Sequence, residues 1–253
     1  QKLNDLNFHP KLIKKCIPIK KIPETDLIFD EVHRINKFAD CQEGYLRVSI
    51  DSKAKVKIGP FSRRGKNRQG QNACDHDFAP DYILSLFGIF LPLYDLTYFF
   101  FNKTKDPADF IVDCLQALWP VFKEAYNPHT LVLNLDNGPE CNSHRSQFLK
   151  RIVEFAYTNN VNIILVYYPP YHSKYNPIER VWGVLERVFG REILNTIEKA
   201  LGLASSMKYN NVQAVVTFVE KEYFSGVKVN KKDLKQFESK VKRKPGLEKW
   251  FAE

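Results

Sequence analysis

Between Leu131 and Gly183 the chain reads LVLNLDNGPE, then a helical stretch, then NIILVYYPPYHSKYNPIERVWG, and no other segment constrains the fold as tightly. An apolar strand ends on Asp136 at a strong turn signal, Asn137-Gly138-Pro139, and a later helix opens at Glu179. The chain between them can bring the two carboxylates together, a layout that suggests a divalent-metal site. A further acid lies upstream in YLRVSIDSKAKVKIGP. There Leu46, Val48 and Ile50 alternate with Arg47, Ser49 and Asp51, a period of two that marks a strand with Asp51 on its polar face. Asp51, Asp136 and Glu179 thus form an ordered series of acids from three distant segments.

The same periodicities give the order of elements. Strands are expected near 45–52, 53–58, 83–91 and 94–101, then a helix near 107–125 in which Ile111, Leu115 and Leu118 recur at helical spacing. A strand follows at 130–136, a helix near 142–159 with Phe148, Ile152 and Phe155 on its core face, a strand at 162–168, and a helix from Pro177 to Phe189. Ile178, Val181, Trp182, Leu185 and Val188 make that last helix amphipathic and assign Trp182 to the core. Strands first, then strands alternating with helices, read as an α/β mixed sheet flanked by helices.

Each acid also has a plainer reading. Asn176, Pro177 and Glu179 suit an N-cap, a first helical position and N3, so Glu179 could complete a capping box. Asp136 could hydrogen-bond its own turn. Asp51 could be an exposed strand residue. Their joint placement, on a first strand, at the end of a later strand and in the first turn of a following helix, favours catalysis. Glu186, two turns beyond Glu179, is the main rival for the third acid, and Glu140 a weaker one.

At these residues the chain resembles the bacterial insertion-sequence transposases related to mariner, within the retroviral integrase and ribonuclease H superfamily. The resemblance runs from about Ile22 to the end, and PPYHSKYNPIERVWG is its most specific block. The interval from Asp136 to Glu179 holds 179 − 136 − 1 = 42 residues, longer than in the familiar form of the class, which fits a longer helix and a subgroup carrying DNGPE. The resemblance implies a ribonuclease H-like core over 44–190, with a C-terminal helical, lysine-rich extension over 191–253. It implies that 1–43 is a basic linker, the end of a helix-turn-helix region lying upstream; since Gln1 is no translation start, a fragment is expected. It further implies a DDE transposase that cleaves and joins DNA strands, using two magnesium or manganese ions held by Asp51, Asp136 and Glu179. Its partners would be terminal inverted repeats and target DNA, bound by a homodimer in the bacterial cytoplasm at the nucleoid. A ribonuclease H-like nuclease without joining activity and a catalytically silent DNA-binding remnant are the alternatives.

Hard divalent cations suit this donor set. Magnesium prefers oxygen ligands and takes one or two carboxylates, completing its shell with water and substrate phosphate oxygens. The formal charge of +9 favours a polyanionic partner, bound in a salt-sensitive way. Arg63, Arg64, Lys66 and Arg68 place four cations in six positions after the Asp51 strand, where they could hold a DNA backbone or belong to a solvated hairpin. Beside Glu179, His172, Lys174 and Arg180 are DNA-binding candidates: the two cations could meet phosphates, Tyr171 and Tyr175 could stack on bases, and His172 could assist proton transfer or be a hydrogen-bonding or surface residue. Cys74, Asp75, His76 and Asp77 gather donor atoms, but adjacent strand residues point to opposite faces, so a structural role is preferred, with Asp75 and Asp77 as reserve acids.

Other chemistries lack a motif: there is no GxxxxGK[ST], HExxH or GxSxG. The five cysteines, at 16, 41, 74, 114 and 141, form no CxxC pair, which argues against a zinc ribbon or disulfide framework and for a reducing compartment. No eighteen-residue apolar run or signal peptide is present, and FGIFLPLYDLTYFFF, interrupted by Pro92 and Asp95, reads as two buried strands rather than a membrane span.

Overall fold

An alternating strand, β1 (Tyr45–Ile58), and two strands buried over most of their length, β2 (Tyr82–Leu91) and β3 (Leu96–Asn102), build a three-stranded antiparallel meander. The computed structural model describes residues 2–9, 20–63, 65–66, 70, 72–74 and 79–253. After the meander come α3 (Ala108–Tyr126), β4 (Thr130–Leu135), α4 (Ser146–Asn159), β5 (Asn162–Tyr167) and α5 (Ile178–Phe189). β4 lies parallel to β1, and β5 parallel to β4, so the five strands stand in the order β3-β2-β1-β4-β5. This is the mixed sheet flanked by helices that the sequence led us to expect.

The outer segments depart from expectation in two places. Within the presumed linker 1–43, a short α1 (Lys2–Asp5) is followed by a full helix, α2 (Thr25–Cys41). Ile28, Val32, Ile35 and Ala39 form a buried stripe along it, the spacing of a helix that covers a core. Its Glu31 is buried between Arg34 (2.7 Å) and Lys244 (2.6 Å), which ties the helix to the C-terminal segment. The supposedly helical extension contains α6 (Ile197–Ser206) and α7 (Lys231–Glu238), but also β6 (Lys208–Tyr209), β7 (Val212–Gln213), β8 (Val215–Val219) and β9 (Phe251–Ala252). β8 pairs in parallel with β3 and β9 antiparallel with β5, completing a seven-stranded sheet.

A bulge divides the work of β1. Lys53 pairs with Leu86 and Val56 with Leu84, so β1 carries one extra residue there. The alternation changes phase across it: Ile50 packs in the cluster that contains α3 and α4, whereas Val56 and Ile58 pack with α5 and α6. The two strands expected at 45–52 and 53–58 are therefore one, with a break in pattern rather than in pairing.

A buried polar link fixes α5 to β1. Ser49 Oγ donates to Asn176 Oδ1 (2.5 Å), Asn176 Nδ2 donates to the Ile50 carbonyl (3.1 Å), and the Ile178 amide donates to Ser49 Oγ (3.0 Å). Both side chains are almost wholly enclosed, so each polar atom depends on the others for a partner. Asn176→Ala would strand the Ile50 carbonyl and the Ser49 hydroxyl, and should cost about 1–3 kcal/mol. A urea midpoint unchanged from the parent would contradict the link.

Candidate active site

The parallel register of β1 and β4 runs from Tyr45 opposite Thr130 to Ser49 opposite Asn134. Carried on by two residues, it brings Asp51 and Asp136 face to face beyond the carboxyl end of β4, the end at which α/β sheets hold their ligands. Both acids line one cavity of about 230 Å³, together with Ser52, Phe87, Asp106, Glu140 and Cys141. Glu179 stands in the first turn of α5, which the Ser49–Asn176 link ties to β1, and does not itself line this cavity. The Asp51 carboxyl is pushed up to about 7, first by burial, then by the charge of Asp136 and, more weakly, by that of Glu179. Hydrogen bonds from Trp182 and from the Ser52 amide oppose the rise.

Trp182 does more than fill the core. Its Nε1–H donates to Asp51 Oδ2 at 2.8 Å while the ring stacks on Phe99, centroids 5.4 Å apart. Gly88, the register partner of Asp51 on β2, makes room for it: a Cβ there would lie 2.4 Å from the indole and 2.7 Å from the Ile178 side chain. Sequence reading gave Trp182 its burial but missed this bond, although its i+3 spacing from Glu179 puts it on the acid's side of the helix. It passed over Gly88 altogether; a glycine inside an apolar strand was the available signal. Asp136 is fixed locally, its Oδ1 accepting from the Gly138 amide at 3.1 Å, so the turn-holding role is real. Tyr167 donates to the Cys141 carbonyl at 2.7 Å and holds the loop after it.

All of residues 1–253 match the family model described as the Rhodopirellula transposase DDE domain. The chain belongs to that family. Among solved structures, it is similar to the Mos1 transposase paired-end complex with left transposon end, at 12% identity and a TM-score of 0.49, covering 78% of this chain and 58% of that one. It is similar also to the Mos1 mariner paired-end complex with Mn, at 12% identity and a TM-score of 0.47, with the same coverage. The chain thus spans 58% of the length of these solved proteins. Comparison with curated protein sequences gives no match.

The remaining candidates of this DDE domain sit as follows. Glu186 pairs with Lys53 (2.8 Å) and Arg63 (3.8 Å). Glu140 pairs with Arg145 at 3.2 Å at the cavity rim. The capping box at Glu179 does not form: the Asn176 side chain is spent on β1 and its amide donates to the Ser173 carbonyl, while the helix starts at Ile178 with Pro177 as its cap. Arg63 lies over the Phe189 ring at 5.3 Å, and Lys66 is exposed. Between them Gly65 meets the Gly190 backbone so closely that a Cβ would lie 1.5 Å from its carbonyl oxygen, which sets Gly65 against the end of α5. Arg64, Arg68, Asp75, His76 and Asp77 lie outside the described residues. His172 is 3% exposed, its Nδ1 within 2.7 Å of the Pro170 carbonyl and its ring against Phe29, so it occupies the hydrogen-bonding position and not the surface. Lys174 lies 5.0 Å from the Tyr175 ring centroid; Lys174, Tyr171, Tyr175 and Arg180 are exposed.

The proposed donor set suits a hard cation: carboxyl oxygens, with Asp51 raised by burial and by the like charges of Asp136 and Glu179. Among the described residues, no group of three or more His, Cys, Asp or Glu side chains is arranged to hold a metal ion by itself. A cation of this kind does not require a closed cage, because it takes one or two carboxylates and completes its shell with water and phosphate oxygens.

Folded Asp51 titrates near 7 against an ordinary 3.8, so the folded state binds the extra proton between those values and loses stability as pH rises through that window. Asp51→Asn removes the loss. Relative to the parent, the variant should gain on the order of a few kcal/mol between about pH 4 and about pH 8, read by urea unfolding in EDTA; a pH-independent difference would refute the assignment. Gly88→Ala should displace the indole, cost about 1–3 kcal/mol by overpacking and alter Trp182 emission. An unchanged spectrum would speak against the contact.

Proposed function

We propose that this DDE domain catalyses metal-dependent cleavage of DNA at the ends of an insertion sequence and joins those ends to target DNA. Asp51, Asp136 and Glu179 are the acids in this reading, and Glu179 rather than Glu186 is the third. The observation that carries it is the cavity shared by Asp51 and Asp136, beside a helix whose first turn bears Glu179 and is tied to the Asp51 strand by the Ser49–Asn176 link. Glu186 is already matched by two cations, which argues against it.

Asp51, Asp136 and Glu179 would hold two magnesium or manganese ions, which would supply activation of an attacking water or 3′-hydroxyl and stabilisation of the leaving oxygen. The protein's own part is positioning. Trp182 and the Ser52 amide orient the Asp51 carboxyl, and the Gly138 amide orients that of Asp136. Arg63, Lys66, Lys174 and Arg180, with Arg64 and Arg68 of the same basic loop, are assigned to DNA phosphates, while His172 braces the loop before α5. The working assembly in this reading is a homodimer on paired inverted repeats, acting in the cytoplasm at the nucleoid. Among the described residues no helix is long and apolar enough to cross a membrane.

The test is incubation of the purified chain with labelled inverted-repeat DNA and Mn²⁺ at low ionic strength, since phosphate contacts weaken steeply with salt. Joined products are expected. Nicks without joining would reassign the chain as a nuclease, and metal-independent binding alone as a silent remnant. Glu179→Gln should lower cleavage and joining about 100-fold or more while shifting stability by no more than about 0.5 kcal/mol. Substantial activity in that variant would remove Glu179 from the site.

A further inference from the structure

Next to the acid cavity the sheet carries a second, larger groove of about 500 Å³, lined by Lys55, Lys103, Lys105, Ile83, Tyr223 and Phe224 along with Thr104 and Ser225. We infer that this groove binds a single DNA strand, its lysines holding phosphates and Phe224 stacking on an unpaired base. The inference rests on the function proposed above, and gives that site a path for one separated strand.

Four observations carry it. The lining has three cations and no carboxylate, and among the described residues neither Lys103 nor Lys105 has an acid partner. Lys105 reaches only the Ser225 hydroxyl at 3.2 Å, and Lys103 lies 5.3 Å from the Tyr82 ring centroid. Phe224 is 74% exposed and Tyr82 51%, so two aromatic faces stand in solvent beside these charges. Rings interleaved with cations are the composition of a single-strand platform, since every base offers a π-face and every link a phosphate.

The walls are also built in advance. Asn102 Nδ2 donates to the carbonyls of Val219 (2.9 Å) and Lys221 (2.8 Å), and the Tyr223 amide donates to Thr104 Oγ1 (3.1 Å). Tyr223 and Lys221 both anchor on Asp113, at 2.9 Å and 2.7 Å. The segment bearing Phe224 is thereby fastened to the end of β3.

The groove also abuts the acids. Lys55 pairs with Asp106 at 2.5 Å and Ser85 at 2.6 Å, and Asp106 lines the same cavity as Asp51 and Asp136. The bulge in β1 accounts for this: by changing the phase of the strand it turns Lys55 toward Asp106 while Asp51 and Lys53 face α5. A duplex keeps its bases stacked, so a ring at Phe224 can engage only a strand that has left its complement.

The experiment uses the whole chain in EDTA, which keeps binding apart from catalysis, with a fluorescent oligothymidine strand and a duplex of equal length. Phe224→Ala should weaken strand binding about 5-fold or more and leave duplex binding within about 2-fold. Emission from Phe224→Trp should be quenched by the strand and not by an abasic strand. Lys103→Glu with Lys105→Glu should lower the slope of log affinity against log salt by about 1.4, two contacts at about 0.7 each. Equal strand affinity in Phe224→Ala, an unresponsive Phe224→Trp, or displacement of the strand by polyglutamate at matched charge would overturn the proposal. Strand binding without cleavage in Mn²⁺ would sink the proposed function and leave the groove standing; cleavage with strand binding indifferent to Phe224 would do the reverse.

Discussion

The buried link of Ser49, Asn176 and the Ile178 amide is the contact on which the site depends. It joins a strand of the meander to a helix 127 residues later in sequence, and it does so with polar atoms that have no substitute partner inside the protein. Apolar packing alone would let α5 slide along the sheet by small increments. A hydrogen-bonded triangle has one geometry, and that geometry decides where the first turn of α5, with Glu179, stands against Asp51.

What the link assembles is unfavourable in itself. Asp51 is pressed into partial burial beside Asp136 and within the field of Glu179, and its carboxyl responds by holding its proton up to about 7. A fold selected only for stability would have separated these charges or given them cations, as it does at Glu31 and Glu186. Here the nearest ordered donors are an indole and backbone amides, groups that orient a carboxylate without neutralising it. The local instability is what would make a divalent cation welcome.

Much of this was legible in the sequence because it is local. Period-two alternation located the first part of β1, an apolar run broken at Pro92 and Asp95 located β2 and β3, helical spacing located α3 to α5, and turn residues after Asp136 marked the end of β4. The stripe Ile28, Val32, Ile35, Ala39 was equally readable, but the prolines and lysines before it suggested a linker and the periodicity went unused. The change of phase in β1 looked like a boundary because a bulge, seen from one strand alone, cannot be told from a turn. Long-range partners were out of reach altogether. Nothing near Asn176 in sequence says that its amide turns to β1 instead of capping its own helix, and nothing near Trp182 names Asp51 as its acceptor. Gly88 belongs to the same class, a small residue whose reason lies on another element.

The two strands supplied after residue 190, β8 beside β3 and β9 beside β5, close opposite margins of the sheet. A polypeptide cut after α5 would retain every proposed ligand yet bare a row of unsatisfied amides and carbonyls on each flank. Its failure would be one of solubility, with molecules zipping edge to edge, and an inactive truncation of that kind would say nothing about the chemistry of the acids.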